Sequence, residues 1–110
     1  MNFVVYVTDP AANDAFHIYQ WLADRSPRGA ASWKTAYRRA LVRLQTTAAS
    51  LGLAPETTEF DEELREMVFK TRSGHRYRLL FVIRGDAVQV ARIRGPGQDS
   101  LSRDDINLGD

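Results

Sequence analysis

The residues best equipped for chemistry are arginines, and they crowd one stretch. Leu64 to Arg94 holds eight of the fifteen Lys/Arg residues and only two acids, Glu66 and Asp86. A guanidinium is a rigid fork of donors that matches phosphate or carboxylate, so the chemistry on offer is anion recognition. Arg76 and Arg78 alternate with Tyr77, which places both on one side of a strand. Several cations on one sheet face point to an anion site, whereas a single one reads as a solvated residue. His75 is the histidine beside this cluster and has a side chain able to titrate near neutrality. It lies in the turn Ser73-Gly74-His75-Arg76, where a solvated role competes with a chemical one. His17 lies far from the cluster on a helical segment and reads as a surface residue. With no cysteine in the chain, thiolate chemistry and disulfides are excluded.

The elements that must position these groups can be read from their punctuation. Tyr77 to Arg84 is rich in β-formers, Gly85-Asp86 fits a two-residue type II′ turn with glycine supplying the positive φ, and Ala87 to Arg94 returns. Such a turn fixes register. It sets Arg84 opposite Ala87, Val82 opposite Gln89, Leu80 opposite Ala91 and Arg78 opposite Ile93. One face then carries Tyr77, Leu79, Phe81, Ile83, Val88 and Val90, with Arg92 and Arg94 at its far end. This more apolar face is expected to pack on helices. The other, with Arg76, Arg78, Leu80 and Val82, is expected to stay open.

Upstream, Asn2 to Val7 reads as a first strand. Asp9-Pro10 suits a helix start, and Ala12, Phe16, Tyr19, Leu22 and Ala23 recur at helical spacing up to about Asp24. Ser26-Pro27-Arg28-Gly29 breaks the pattern. A second helix follows, with the stripe Ala30, Trp33, Tyr37, Leu41, Leu44, Ala48 and Leu51 and a basic opposite face of Lys34, Arg38, Arg39 and Arg43. Trp33 falls on the apolar stripe and reads as core; Trp21 falls off it. Leu53 to Glu63 reads as an acidic connecting loop. Residues 96–110 read as an acidic, mobile tail with at most a short helical turn near Ser102 to Asn107. The order β-α-α-β-β-β defines an α+β domain over residues 1–95, with a helical hairpin on one face of a mostly antiparallel four-stranded sheet.

The formal net charge of +1 conceals a partition. Residues 1–54 carry +3, residues 55–63 carry −5, residues 64–94 carry +6 and residues 95–110 carry −3. Blocks of this kind describe partners better than the total does. With no long apolar run and no signal-peptide pattern, a cytoplasmic protein without membrane attachment is expected.

The segments TDPAANDAFHIYQWLADRS, GAASWKTAYRRALVRL, ELREMVF and YRLLFVIRGDAVQVARIRG, in this order and spacing, resemble the RelE/ParE superfamily, the toxins of bacterial type II toxin–antitoxin modules. The likeness covers about residues 3 to 95. It implies a toxin held by a cognate antitoxin, without a cofactor or metal. RelE-like members cleave mRNA on the ribosome; ParE-like members inhibit DNA gyrase and are not nucleases. The reading placed first is RelE-like, ribosome-dependent mRNA cleavage using the basic sheet face; ParE-like inhibition of gyrase is the alternative, and a small interaction module without toxin activity the second alternative.

On the RelE branch the resemblance makes Arg78 the phosphate-binding arginine, with Arg76 and His75 as further catalytic candidates. Lys70, Arg72, Arg92 and Arg94 are then candidate nucleic-acid contacts. The chain departs from that pattern twice. Glu66 and Val68 stand where basic residues are typical, and the segment after Arg94 has no Tyr or His-Tyr. Both departures suit the ParE branch, which needs a fitting surface rather than an acid/base set. On either branch Trp21, Arg38, Leu80 and Val82 are candidate antitoxin contacts.

Overall fold

The computed structural model describes residues 2–96 and Ile106. Four strands and two α-helices follow in the expected order: β1 (Val4–Val7), α1 (Asp9–Arg25), α2 (Pro27–Thr47), β2 (Arg65–Lys70), β3 (Arg76–Arg84) and β4 (Ala87–Arg94). The sheet order is β1-β4-β3-β2. The pairs β2–β3 and β3–β4 are antiparallel, and β1 runs parallel to β4. This is the α+β architecture that the pattern implied, with one parallel pair in a mixed sheet.

Local chemistry explains the helix boundaries. Thr8, rather than Asp9, caps α1: its Oγ1 accepts from the Ala11 N–H at 3.3 Å and donates to the Val90 carbonyl at 2.8 Å. One hydroxyl therefore starts the helix and ties it to β4. The break expected over Ser26 to Gly29 narrows to one residue. Ser26 ends α1 by donating its N–H to Leu22 O at 2.7 Å, and its Oγ caps α2 by accepting from Gly29 N–H at 3.0 Å. Pro27 takes the first helical position, where its missing N–H costs nothing. The inner stripe of α1 is also rotated from the expected one. Ala11, Ala15, Ile18, Tyr19 and Leu22 pack inward, while Phe16 is 57% exposed.

The main core lies between the helices and the sheet, around Trp33, Leu44, Met67, Phe69, Leu79, Phe81, Val88, Val90 and Ile93. Trp33 stacks on Tyr37 with ring centroids 5.0 Å apart and meets Tyr77 edge-on at 5.9 Å. Burial raises the pKa of the Tyr77 phenol, and burial followed by the nearby Asp14 charge raises that of Tyr37. A raised folded pKa favours the neutral phenol. Its contribution is full below the unfolded value of about 10 and is lost as pH climbs through the folded one. Stability should therefore fall between about pH 9 and about pH 11, and the variant Y37F/Y77F should lose part of that slope in urea titrations at the two pH values.

The Gly85 turn is as expected, with φ +62 at glycine and no positive φ at Asp86. The register is not as expected beyond Phe81. A bulge shifts the pairing so that Leu80 faces Arg92 and Arg78 faces Arg94. One extra residue reverses every side chain after it. Ile93 thus enters the main core, and Arg92 and Arg94 leave the helix face to which the uninterrupted register assigned them. Asp14 on α1 then meets the sheet edge beyond β1. Its carboxylate accepts from Arg92 at 2.7 and 2.9 Å and from the Ile93 N–H at 2.9 Å.

The face expected to be open is covered. Residues 53–63 form not a bare loop but a clamp containing a 3-10 turn, Pro55–Glu59. Ala54, Phe60 and Leu64, with Ile106, make a second core over Leu80, Val82 and Ala91. Leu80 and Val82, expected as antitoxin contacts on an open face, are 0% and 1% exposed beneath the chain's own segment. Apart from Pro96 and Ile106, the expected tail and its helical turn lie outside the described residues. Among the described residues no helix is long and apolar enough to cross a membrane.

Candidate functional site

The same clamp determines what the sheet arginines can do. Arg78 projects from β3 on the face opposite the helices, as read from the alternation. Its Nη2 and Nη1 donate to Glu56 Oε1 and Oε2 at 2.6 and 2.9 Å, and its Nε donates to Glu66 Oε1 at 2.7 Å. Glu56 is 4% exposed. A bidentate fork plus a third bond to a second carboxylate occupies the side of the guanidinium that a phosphate would need. The Glu56 hydrogen bonds, with Glu66 adding to them, raise the Arg78 pKa. Its folded value lies above the unfolded one, so the charged-pair contribution is present throughout the physiological range and lost only at extreme alkaline pH.

The pairing repeats across this face. Arg84 is held by Glu62, which raises its pKa, and Arg65 pairs with Glu63 at 3.3 Å. Each of these three arginines thus has a carboxylate from residues 55–63, and Arg92 has Asp14. The acidic block, which reads in the sequence as a connecting loop, supplies counter-charge to the sheet.

The other candidates point elsewhere. Lys70, Arg72, His75 and Arg76 are exposed at and beside the β2–β3 turn. His75 lines a hollow on the helix side with Arg28, Tyr77 and Arg72. Lys70, Arg72 and Arg76 line two adjoining hollows of about 630 and 390 Å³ between α2 and β2, which share Ala36, Arg39 and Lys70. Arg28, Arg39 and Arg43 complete the basic lining from α2. Arg28 escaped the sequence reading because it sits in what read as a helix break. The expected catalytic group is therefore divided: Arg78 is held in the clamp, and Arg76 and His75 line separate hollows.

Trp21 is 57% exposed on α1, with the Arg25 guanidinium 3.8 Å above its ring. It borders an apolar hollow of about 300 Å³ with His17, Ile18, Leu22, Tyr77, Gly95 and Pro96. Arg38 is exposed on α2. Among the described residues no three His, Asp or Glu side chains come together as a metal site.

What the fold and this surface define is a small α+β protein in which Arg65, Arg78, Arg84 and Arg92 are neutralised by carboxylates of the same chain. Comparison with solved structures gives that fold a relative. The chain is similar to a chain in the structure of the chromosomal ParDE TA (toxin–antitoxin) system from P. aeruginosa, with a TM-score of 0.68 and 20% identity, over 84% of this chain and 95% of the other. At this identity the likeness is one of fold. No family model matches the chain, and no curated protein matches it.

Proposed function

We propose that this chain is the toxin of a type II toxin–antitoxin module and that it acts on the ParE branch, by binding DNA gyrase rather than by cutting RNA. The fold shared with a chain of a ParDE system supports the module. The observation that carries the choice of branch is the Arg78 clamp. Ribonucleolytic cleavage needs a cation on the scissile phosphate and an acid/base pair around it. Here the sheet-face arginine that the resemblance singles out is bonded to Glu56 and Glu66, and His75 lines a hollow on the helix side. A binding toxin needs neither group.

The cognate antitoxin is proposed to engage the exposed side of α1. Phe16 and Trp21 are each 57% exposed there, Trp21 borders an apolar hollow, and exposed aromatic anchors of this kind are common centres of protein recognition.

The purified chain should inhibit supercoiling by gyrase in proportion to its concentration. It should leave mRNA on translating ribosomes uncut. Message ends that map to the decoding position and vanish in the R76A variant would overturn the branch in favour of RelE-like cleavage. An inert result in both assays, with no slowing of growth on expression, would remove the toxin reading altogether.

A further inference from the structure

Two sets of cations stand out among the described residues. Arg65, Arg78, Arg84 and Arg92 have carboxylate partners. Arg28, Arg39, Arg43, Lys70, Arg72 and Arg76 are all exposed, make no ion pair among the described residues, and line the continuous trough between α2 and the β2 edge. No acid lines either hollow of that trough. A fold that neutralises one arginine face so thoroughly, yet leaves six cations facing each other across a groove, has left that groove for a polyanion. We propose that the α2–β2 trough is a sequence-independent binding site for a nucleic-acid backbone.

The shape favours phosphate over an acidic peptide. Arg28 to Arg43 covers about 22 Å of helix axis, room for several successive phosphates along one wall. The floor is Ala31, Ser32, Thr35 and Ala36: small side chains that offer hydroxyls but no deep pockets for the alternate side chains of a bound strand. The β2 edge is also largely used. Glu66 N–H donates to Gly52 O at 3.2 Å and Leu53 bridges Arg65, which leaves only Val68 and Lys70 facing outward. Two positions are too few for strand addition. No exposed aromatic side chain lines the trough, so backbone charge rather than base stacking supplies the affinity. The site is independent of the gyrase reading, since the test below contains no gyrase.

The test is fluorescence anisotropy of the full chain with labelled duplex DNA, single-stranded DNA and single-stranded RNA of scrambled sequence, across a salt series. Binding is expected in the range of about 1–100 µM near physiological salt, rising steeply as salt falls. The variant R39Q/R43Q/R72Q should weaken it about tenfold or more at low salt and flatten the log–log salt slope by about 2 to 3. The variant R25Q/K34Q/R38Q removes the same charge from outside the trough and should leave most of the affinity. Differences among the three probes identify the preferred nucleic acid. Equal losses in the two variants would overturn the site, because net charge alone would then explain binding. Absence of binding at low salt, or displacement by poly-glutamate as effective as by DNA, would overturn it as well. All six substituted residues are exposed, and an unchanged thermal midpoint separates lost binding from lost folding.

Discussion

Replacing Arg78 with alanine should cost about 3–5 kcal/mol of folding stability, measured by urea unfolding. The size follows from what is left behind. Glu56 has a side chain 3% exposed, and Arg78 donates to both of its oxygens. Truncating the arginine removes both of these charge-assisted bonds from a carboxylate held away from water, which is far worse than never having had the pair. Replacing both partners with apolar side chains of similar length, E56M/R78M, should therefore recover most of the loss. The double-mutant cycle should return a coupling energy of about 2–3 kcal/mol. A phosphate-binding arginine behaves differently: its loss abolishes activity and leaves the fold intact. An R78A variant as stable as the parent, and inactive, would restore the RelE reading.

The second large effect tests the covered sheet face. Leu80→Ala should destabilise by about 2–5 kcal/mol, the range for deleting a buried leucine, because Leu80 is 0% exposed within the second core. On an open face the same change would cost no more than about 0.5 kcal/mol. Val68→Ala provides that reference within the same sheet. Val68 is 42% exposed at the β2 edge, and its truncation should stay within about 0.5 kcal/mol. Comparable losses at the two sites would mean that residues 54–64 do not hold the face closed.

These two sites also mark where the sequence stopped being legible. The hairpin was readable because its signals are local: a Gly-Asp turn and strands that flank it directly. Helix two was readable because one stripe, from Ala30 to Leu44, repeats at helical spacing for several turns, although the α-helix ends at Thr47 and Ala48–Ser50 tightens to a 3-10 turn short of the expected Leu51. The bulge was not readable. Val88 to Arg94 alternates acceptably with or without an extra residue, and only packing chose to send Ile93 inward. The cap at Thr8 was hidden by its neighbour Asp9, an equally good capping residue; the deciding bond runs to Val90, 82 positions away. The pairing of Glu56 with Arg78 spans 22 positions. No periodicity announces such a contact, and a run of acids reads as a connecting loop until the sheet arginines are seen beneath it. For the candidate site this mattered most: the sequence placed the cations on their strands, but the distant Glu56 that takes the fork of Arg78 was not legible in it.

The parallel pairing of β1 with β4 has a consequence for synthesis. Val4–Val7 leaves the ribosome long before its partner strand, Ala87–Val90. Until then the first strand has no edge to join, and Thr8 lacks the carbonyl that anchors its helix cap to the sheet. The helical hairpin can form during translation from local contacts, but closure of the sheet is a late, long-range step. Such a topology sets its folding rate by loop closure. A nascent chain interrupted before Ala87 holds two helices and an unpaired apolar strand, a state open to chaperone capture and proteolysis.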